Sequence, residues 1–387
     1  MLNNKKRFMQ GALLGALVTL VLIGAVSFGF GSRVISGRTV YKLFQLRGLI
    51  DETYLGETEA EDLEEGIYKG YLEALGDPYS AYYDEEETRQ LSEGLSGQFN
   101  GIGALLSQDK DTGVITLIRI YEDSPAMDAG LKDGDLLYKV DGKEVTGQDI
   151  NKVVNDIKGE RGSDVNLTVI RGSDNQEITV TVTRDVVEKQ TVACRMMEND
   201  IGYLAVSEFD SVTYGQYKEA LDNLENQGAR SLVIDLRNNP GGNLEIVCEM
   251  LDLILPKGLI VYTEGKNGER KEYLSDSKEQ IKMPITVLIN GQSASASEIF
   301  AAAVQDYERG EIVGTKSYGK GVVQNLYDLR DGTCVKLTTA EYFTPKGRRI
   351  DGKGVVPDVE VEYQYDESRP EADNQLEKAV EILKNKH

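Results

Sequence analysis

Histidine is almost absent: of 387 residues only the last, His387, is a histidine. Chain ends fray readily, so a Ser–His–Asp triad, a Cys–His pair and a His-ligated zinc site all lack a usable imidazole. Cysteine is scarce too. Cys194, Cys248 and Cys334 are far apart and odd in number, which makes neither a zinc knuckle nor a disulfide framework. They read as small buried apolar side chains. Positive charge is also in deficit, with 43 Lys and Arg against 65 Asp and Glu and a formal net charge of −22. Phosphate binding needs a basic face, so nucleic acid is excluded as the main partner, and the acidity serves solubility. Chemistry in this chain must come from Ser, Thr, Lys, Tyr or carboxylates, with no cofactor or metal called for.

What the chain does have begins with a long apolar run. Lys5, Lys6 and Arg7 precede an uncharged stretch from Phe8 to Ser32, long enough to cross about 30 Å of hydrocarbon. Ala25-Val26-Ser27 is compatible with signal cleavage, but the length favours a retained anchor over residues 1–38. The basic cluster then stays cytoplasmic and the remainder lies outside the cell membrane.

The length and patterning point to a multidomain α/β protein. Residues 39–96 read as helices, with Leu43, Leu46 and Ile50 on one stripe and Leu63, Ile67, Tyr71 and Leu75 on another. Gly76-Asp77-Pro78 stops the second helix. Residues 97–184 are β-rich with short helices: strands near 114–118, 136–140, 165–170 and 178–182, a Pro-started helix at Ser124-Pro125, a hairpin turn at Asp141-Gly142 and a helix over 150–157. Over residues 185–365 short apolar runs, 232–236 and 285–289, each lead through a Gly-containing turn into a helical pattern, which predicts layered strands and helices. Residues 366–387 read as a polar linker and a docked C-terminal helix with Leu376, Val380 and Leu383 on one face.

Three segments carry candidate chemistry. In Gly291-Gln292-Ser293-Ala294-Ser295-Ala296-Ser297-Glu298 a buried strand meets a helix, where a serine sits beside free helix N–H groups suited to oxyanion binding. Capping needs one serine; three alternating with alanine exceed it, and spacing does not choose among them. In Gly319-Lys320-Gly321-Val322-Val323-Gln324 a lysine flanked by glycines is a candidate base if burial lowers its pKa from about 10.4 towards 7–8. Gln324 is placed to hold that amine without adding charge, provided the backbone bends near Gly321, since four extended residues span about 13 Å. The overlapping Gly314–Gly321 stretch falls short of a phosphate-binding loop, because Gly321 stands where Ser or Thr would hold Mg²⁺. In Asp235-Leu236-Arg237-Asn238-Asn239-Pro240-Gly241-Gly242 a strand ends in a turn whose glycines expose N–H groups, with Asp235 and Arg237 positioned to pair and brace it.

Taken in this order, the three segments resemble the carboxyl-terminal processing, or tail-specific, proteases, over nearly the whole chain after the apolar run. Gly76-Asp77-Pro78-Tyr79-Ser80-Ala81-Tyr82 is similar to a family segment. Ser124-Pro125-Ala126, Ala129-Gly130-Leu131, Gly134-Asp135 and Val140-Asp141-Gly142 resemble the second half of a PDZ domain. Lys336–Ala340, Thr344–Arg348 and Gly354–Asp358 also look like the family. The resemblance implies Ser295 as nucleophile, Lys320 as general base and Gln324 as its orienting residue. It implies an oxyanion hole from the N–H of Ala296 and that of Gly241 or Gly242. It also implies a PDZ loop, Gly101-Ile102-Gly103-Ala104, that holds a substrate's terminal carboxylate, and so an exported endopeptidase acting near free C-termini of proteins or peptides. Family members can also assemble into homo-oligomers through their terminal regions. A rival reading is a non-enzymatic, membrane-anchored PDZ adaptor, which has no need for Ser295, Lys320 and Gln324 together.

Overall fold

The computed structural model describes residues 36–278 and 280–385. The apolar run expected to enter the membrane lies outside them, and among the described residues no helix is long and apolar enough to cross a membrane. By contacts the chain divides into residues 1–68 and 69–387. In the first unit α1 (Gly37–Thr53) starts at an N-cap where the Ser36 hydroxyl accepts from Thr39 N–H, and neither α1 nor α2 (Ala60–Glu73) buries a side chain. The predicted stripe on α2 overshoots by a turn, since Leu75 falls beyond the helix end.

The second unit takes up the last turn of α2 and then has a short strand, β1 (Ala81–Tyr83), and helix α3 (Glu85–Ser96), capped by Asp84. A two-stranded ribbon of β2 (Gln98–Gly101) and β9 (Asp185–Glu188) brackets the PDZ-like module. Inside it β3 (Ala104–Gln108), β4 (Ile115–Ile120), β5 (Leu136–Val140), β7 (Asp164–Arg171) and β8 (Gln176–Thr183) form an antiparallel sheet in that order, with β6 (Lys143–Glu144) on β5. Asp141 and Gly142 both have positive φ, the requirement of the predicted tight hairpin. The one-turn helix α4 (Pro125–Asp128) and α5 (Ile150–Ile157) close a core of Ile115, Leu117, Leu137, Val153, Val165 and Leu167, among others. Helix α5 lies beside β3, an edge strand.

The larger core is built on a sheet ordered β10 (Val192–Met197), β11 (Ile201–Val206), β12 (Ser231–Asp235), β15 (Ile285–Ile289), β16 (Gly310–Gly314) and β19 (Val359–Glu360), parallel except for β10. Every residue of β12 and β15 is buried, as a strand covered on both faces requires. One face packs on α6 (Thr213–Asn226), α7 (Leu244–Asp252) and α8 (Ala296–Asp306). The other face, through Ile201, Val233, Leu288 and Val313, takes the C-terminal helix α9 (Asn374–Lys384) on Ala379 and Leu383. A second, antiparallel sheet shares the first core: β13 (Gly258–Gly265), β14 (Arg270–Ser275), β17 (Val322–Asp328) and β18 (Cys334–Phe343), joined by β1. Strand β18 carries β17 along one edge, and β1 then β13 along the other. That pairing brings the segment before β1 across to the one before β17. Cys248 and Cys334 are buried as expected; Cys194, on the edge strand β10, is only half-buried, and all three are free thiols.

Candidate active site

Strand β15 ends at Ile289 and α8 starts at Ala296, so the serine block forms the turn between them. Two of its serines are fully buried and spoken for. Ser293 Oγ donates to the Leu236 carbonyl (2.8 Å) and accepts from Asn290 N–H (2.9 Å). Ser297 Oγ donates to the Asn239 carbonyl (2.9 Å). Both fasten the turn that follows β12. Ser295 is different: it is only half-buried, the Glu298 N–H goes to its carbonyl (2.9 Å), and among the described residues its Oγ donates to no acceptor. Its backbone, at φ 55° and ψ −114°, is in a region that costs a non-glycine residue about 1–3 kcal/mol and persists only where surroundings impose it.

The imposing group is Glu298, fully buried in the first turn of α8. Its Oε2 accepts from the Ser295 N–H and the Lys320 N–H, both at 2.9 Å. Its Oε1 accepts from Ser317 Oγ (2.5 Å) and the Gly319 N–H (2.7 Å). Burial pushes this carboxyl up in spite of the donors. The backbones of the serine and lysine segments thus hang from one oxygen. The Tyr342 hydroxyl ties them a second time, donating to the Lys320 carbonyl with the Ser295 carbonyl within reach of the same proton (3.3 Å).

Lys320 is half-buried. Burial lowers its pKa, the positive Lys336 adds to that, and Asp77 and Glu298 oppose it. The chain does bend here: residues 315–321 carry no regular structure, and β17 has a register shift between Val323 and Gln324. A Cβ on Gly321 would run into the backbone of Asp351, so only glycine allows this approach. Yet the side chains are not engaged as expected. Lys320 Nζ sits over the Tyr79 ring, 4.7 Å from its centroid, and makes no hydrogen bond to Ser295 Oγ. Gln324 is not on Lys320 either: its Nε2 donates to Thr338 Oγ1 (3.2 Å), its cross-strand partner on β18.

The turn after β12 backs onto the serine. A Cβ on Gly241 would lie 2.8 Å from the Ala294 carbonyl oxygen and from Ser295 Cβ, and 3.1 Å from Ala296 N. The Gly241 N–H is already given to Asn239 Oδ1 (2.8 Å), whereas among the described residues the N–H groups of Gly242 and Ala296 meet no protein acceptor. Asp235 and Arg237 pair as expected, and Arg237 also holds Asp373 and Gln375 of the C-terminal segment. A cavity of about 770 Å³ lined by Tyr203, Asp235, Arg237 and Asn290 lies beside this turn and includes neither Ser295 nor Lys320. In the PDZ module Gly101 closes β2, Ile102 is buried in the core and Ala104 opens β3. The Ile102 and Gly103 carbonyls accept from Ala126 and Tyr121, while their N–H groups meet no acceptor among the described residues.

Sequence reasoning missed Glu298 as an organiser, although a carboxylate three residues after a helix-start serine is a capping-box spacing that points to it. It also gave no role at the site to Asp77 and Tyr79, although their segment carried part of the resemblance, nor to Tyr342.

A PDZ module joined to a layered core, with a strained, unengaged serine at a helix start, defines the class: a serine-type peptidase. Comparison with known proteins agrees. The description "Peptidase family S41" matches residues 200–361, "PDZ domain" residues 118–171 and "Activating protease CtpB N-terminal domain" residues 32–88. The carboxy-terminal processing protease CtpA of Bacillus subtilis is 35% identical over 91% of this chain and 75% of its own. A CtpA-like serine protease of Staphylococcus aureus is 33% identical over 90% of this chain and 71% of its own. A solved S41 protease from Bacteroides fragilis shares the fold, with a TM-score of 0.51 at 16% identity over 82% of this chain and 90% of that one. The chain belongs to peptidase family S41. As a peptidase it is not the non-enzymatic adaptor.

Proposed function

We propose that the chain is an exported endopeptidase that cuts proteins near their C-termini with Ser295 as nucleophile and Lys320 as general base. The observation that carries this is the selection of Ser295: among the described residues its hydroxyl donates to no acceptor while those of Ser293 and Ser297 do, and its N–H shares a carboxylate oxygen with that of Lys320. In this reading the neutral amine of Lys320 takes the hydroxyl proton as Ser295 Oγ bonds to the scissile carbonyl carbon. The resulting ammonium returns the proton to the leaving amide nitrogen, and water, activated by the same amine, then releases the acyl group. The free N–H groups of Ala296 and Gly242 receive the oxyanion, Gly241 being committed to Asn239. Gln324 meets the amine once it leaves Thr338.

The PDZ module selects substrate. The unengaged N–H groups of Ile102 and Gly103 suit a terminal carboxylate, and the β3 edge beside α5 suits an added strand. Residues 8–32 anchor the chain, with its catalytic part outside the cell; resistance of the full chain to alkaline extraction from membranes tests this, and sedimentation tests assembly into homo-oligomers. For the chemistry, an unfolded protein is incubated with wild type and Lys320→Ala. The variant is expected to cleave about 10²–10⁴-fold more slowly. Equal rates would refute Lys320 as the base.

A further inference from the structure

The segment before β1 occupies one of the three side chains to which the reaction is assigned and braces the β18 residue that holds a second. Its route is continuous in hydrogen bonds. Asp77 accepts from the Tyr79 N–H (3.1 Å) and Ser80 Oγ (2.5 Å), so the turn is self-braced. Ser80 Oγ in turn accepts from the Thr338 N–H (3.0 Å), and Thr338 Oγ1 holds Gln324. One residue along from the brace, the Tyr79 ring carries Lys320 Nζ. Next door the contact is of another kind, for Lys336 Nζ donates to the Tyr83 hydroxyl (2.5 Å).

A cation within about 6 Å of a ring face is attracted by the ring quadrupole, but only while it is a cation. The neutral amine that the reaction needs gains nothing from the ring. We infer that Tyr79 is a positioning residue: its ring holds the Lys320 ammonium away from Ser295, and loss of the proton frees the amine to turn to the serine. The inference rests on the Ser–Lys reading and extends it. Deprotonation and delivery of the base become one event. The other groups facing this lysine are Lys336 from β18, Asp77 from the same turn as Tyr79 and Glu298 from α8, with Tyr342 and Asp351 on its backbone side. None of these offers Nζ a hydrogen bond in this structure, which leaves the ring as the contact that fixes where the amine lies. The Tyr79 phenol is itself held above its usual range, by burial first, so the ring faces the lysine uncharged.

The test is the pH dependence of Ser295 labelling by a fluorophosphonate on the full chain, run on wild type, Tyr79→Phe, Tyr79→Leu and Tyr79→Met, with Lys320→Ala as control. Leu and Met keep apolar cover over the amine and remove the ring. Without the ring the ammonium loses its support, so the neutral form appears at lower pH. The ascending limb should move about 0.5–1.5 pH units toward acid in both ringless variants, raising the rate on that limb about 3- to 30-fold. Tyr79→Phe, which keeps the ring face, should restore the wild-type limb. If both ringless variants superimpose on wild type while Lys320→Ala is not labelled, the inference falls and the Ser–Lys reading stands. Labelling of Lys320→Ala at the wild-type rate would sink the reading itself, and the inference with it.

Discussion

At the residue scale the site turns on Glu298, which touches no substrate in the proposed reaction but fixes both backbones that do. Glu298→Gln retains size and one acceptor oxygen while presenting an NH₂ to N–H and O–H donors. A buried donor left facing another donor costs about 1–3 kcal/mol. The expected outcome is a loss of that size in denaturant unfolding, together with a fall in kcat that exceeds any rise in KM, because the serine–lysine geometry loosens while substrate contacts stay. Unchanged kcat would show that the four hydrogen bonds are dispensable to the chemistry.

Elements carry a different electrostatic weak point. The chain enters the PDZ module at Gly97 and leaves it at Lys189, and the two strands of that hinge are joined by the Lys189 N–H on the Gly97 carbonyl (2.7 Å). Asp210 lies directly under it: a Cβ on Gly97 would be 3.0 Å from Asp210 Cβ. Its Oδ2 is buried without a hydrogen bond, since Lys189 Nζ, at 3.7 Å, is nearer to Glu208. Burial pushes this carboxyl up to about 6, with Glu208 adding and Lys189 opposing. The folded state therefore binds more protons than the unfolded chain between about pH 4 and 6, and the stability from this group is lost as pH rises through that window. Asp210→Asn should raise stability at pH 7.5 by about 1–2 kcal/mol and change it little at pH 4, measured by urea unfolding at both. An equal effect at the two pH values would contradict the assignment.

The elements also show what the sequence could and could not say. Helix α5 and strand β15 fall where their apolar periods put them, and the Asp141-Gly142 turn follows from its two positive φ values. Among the serines, burial and partners had to decide, because Ser293, Ser295 and Ser297 are chemically identical in the string. The involvement of Tyr79 was out of reach for a stronger reason. It depends on β1 pairing with β18, which joins Ser80 to Thr338 across 258 residues. No local period encodes such a pairing.

For the whole molecule the question is whether capture and cleavage are coupled. The PDZ module connects to the core through a ribbon whose last β2 residue, Gly101, opens the loop proposed to take a carboxylate. If the loop reads a free C-terminus, a substrate with an amidated tail should be cut more slowly than its free-acid twin, with the gap confined to KM for a tether or extending to kcat for a gate. Deleting residues 97–184 should abolish the difference. Equal rates on both substrates with the intact chain would remove the PDZ module from substrate choice.

Helix α9 has a consequence for anyone who shortens this protein. Arg237 is shared between Asp235, beside the glycine turn, and Asp373, at the cap of α9. Truncation before Asp373 would leave that guanidinium with half its counter-charge and uncover Ile201, Val233 and Leu288 at a stroke. The far end of the chain is thus a strut for the turn that faces Ser295, and a version trimmed there for convenience would be a poor witness to the activity of the whole.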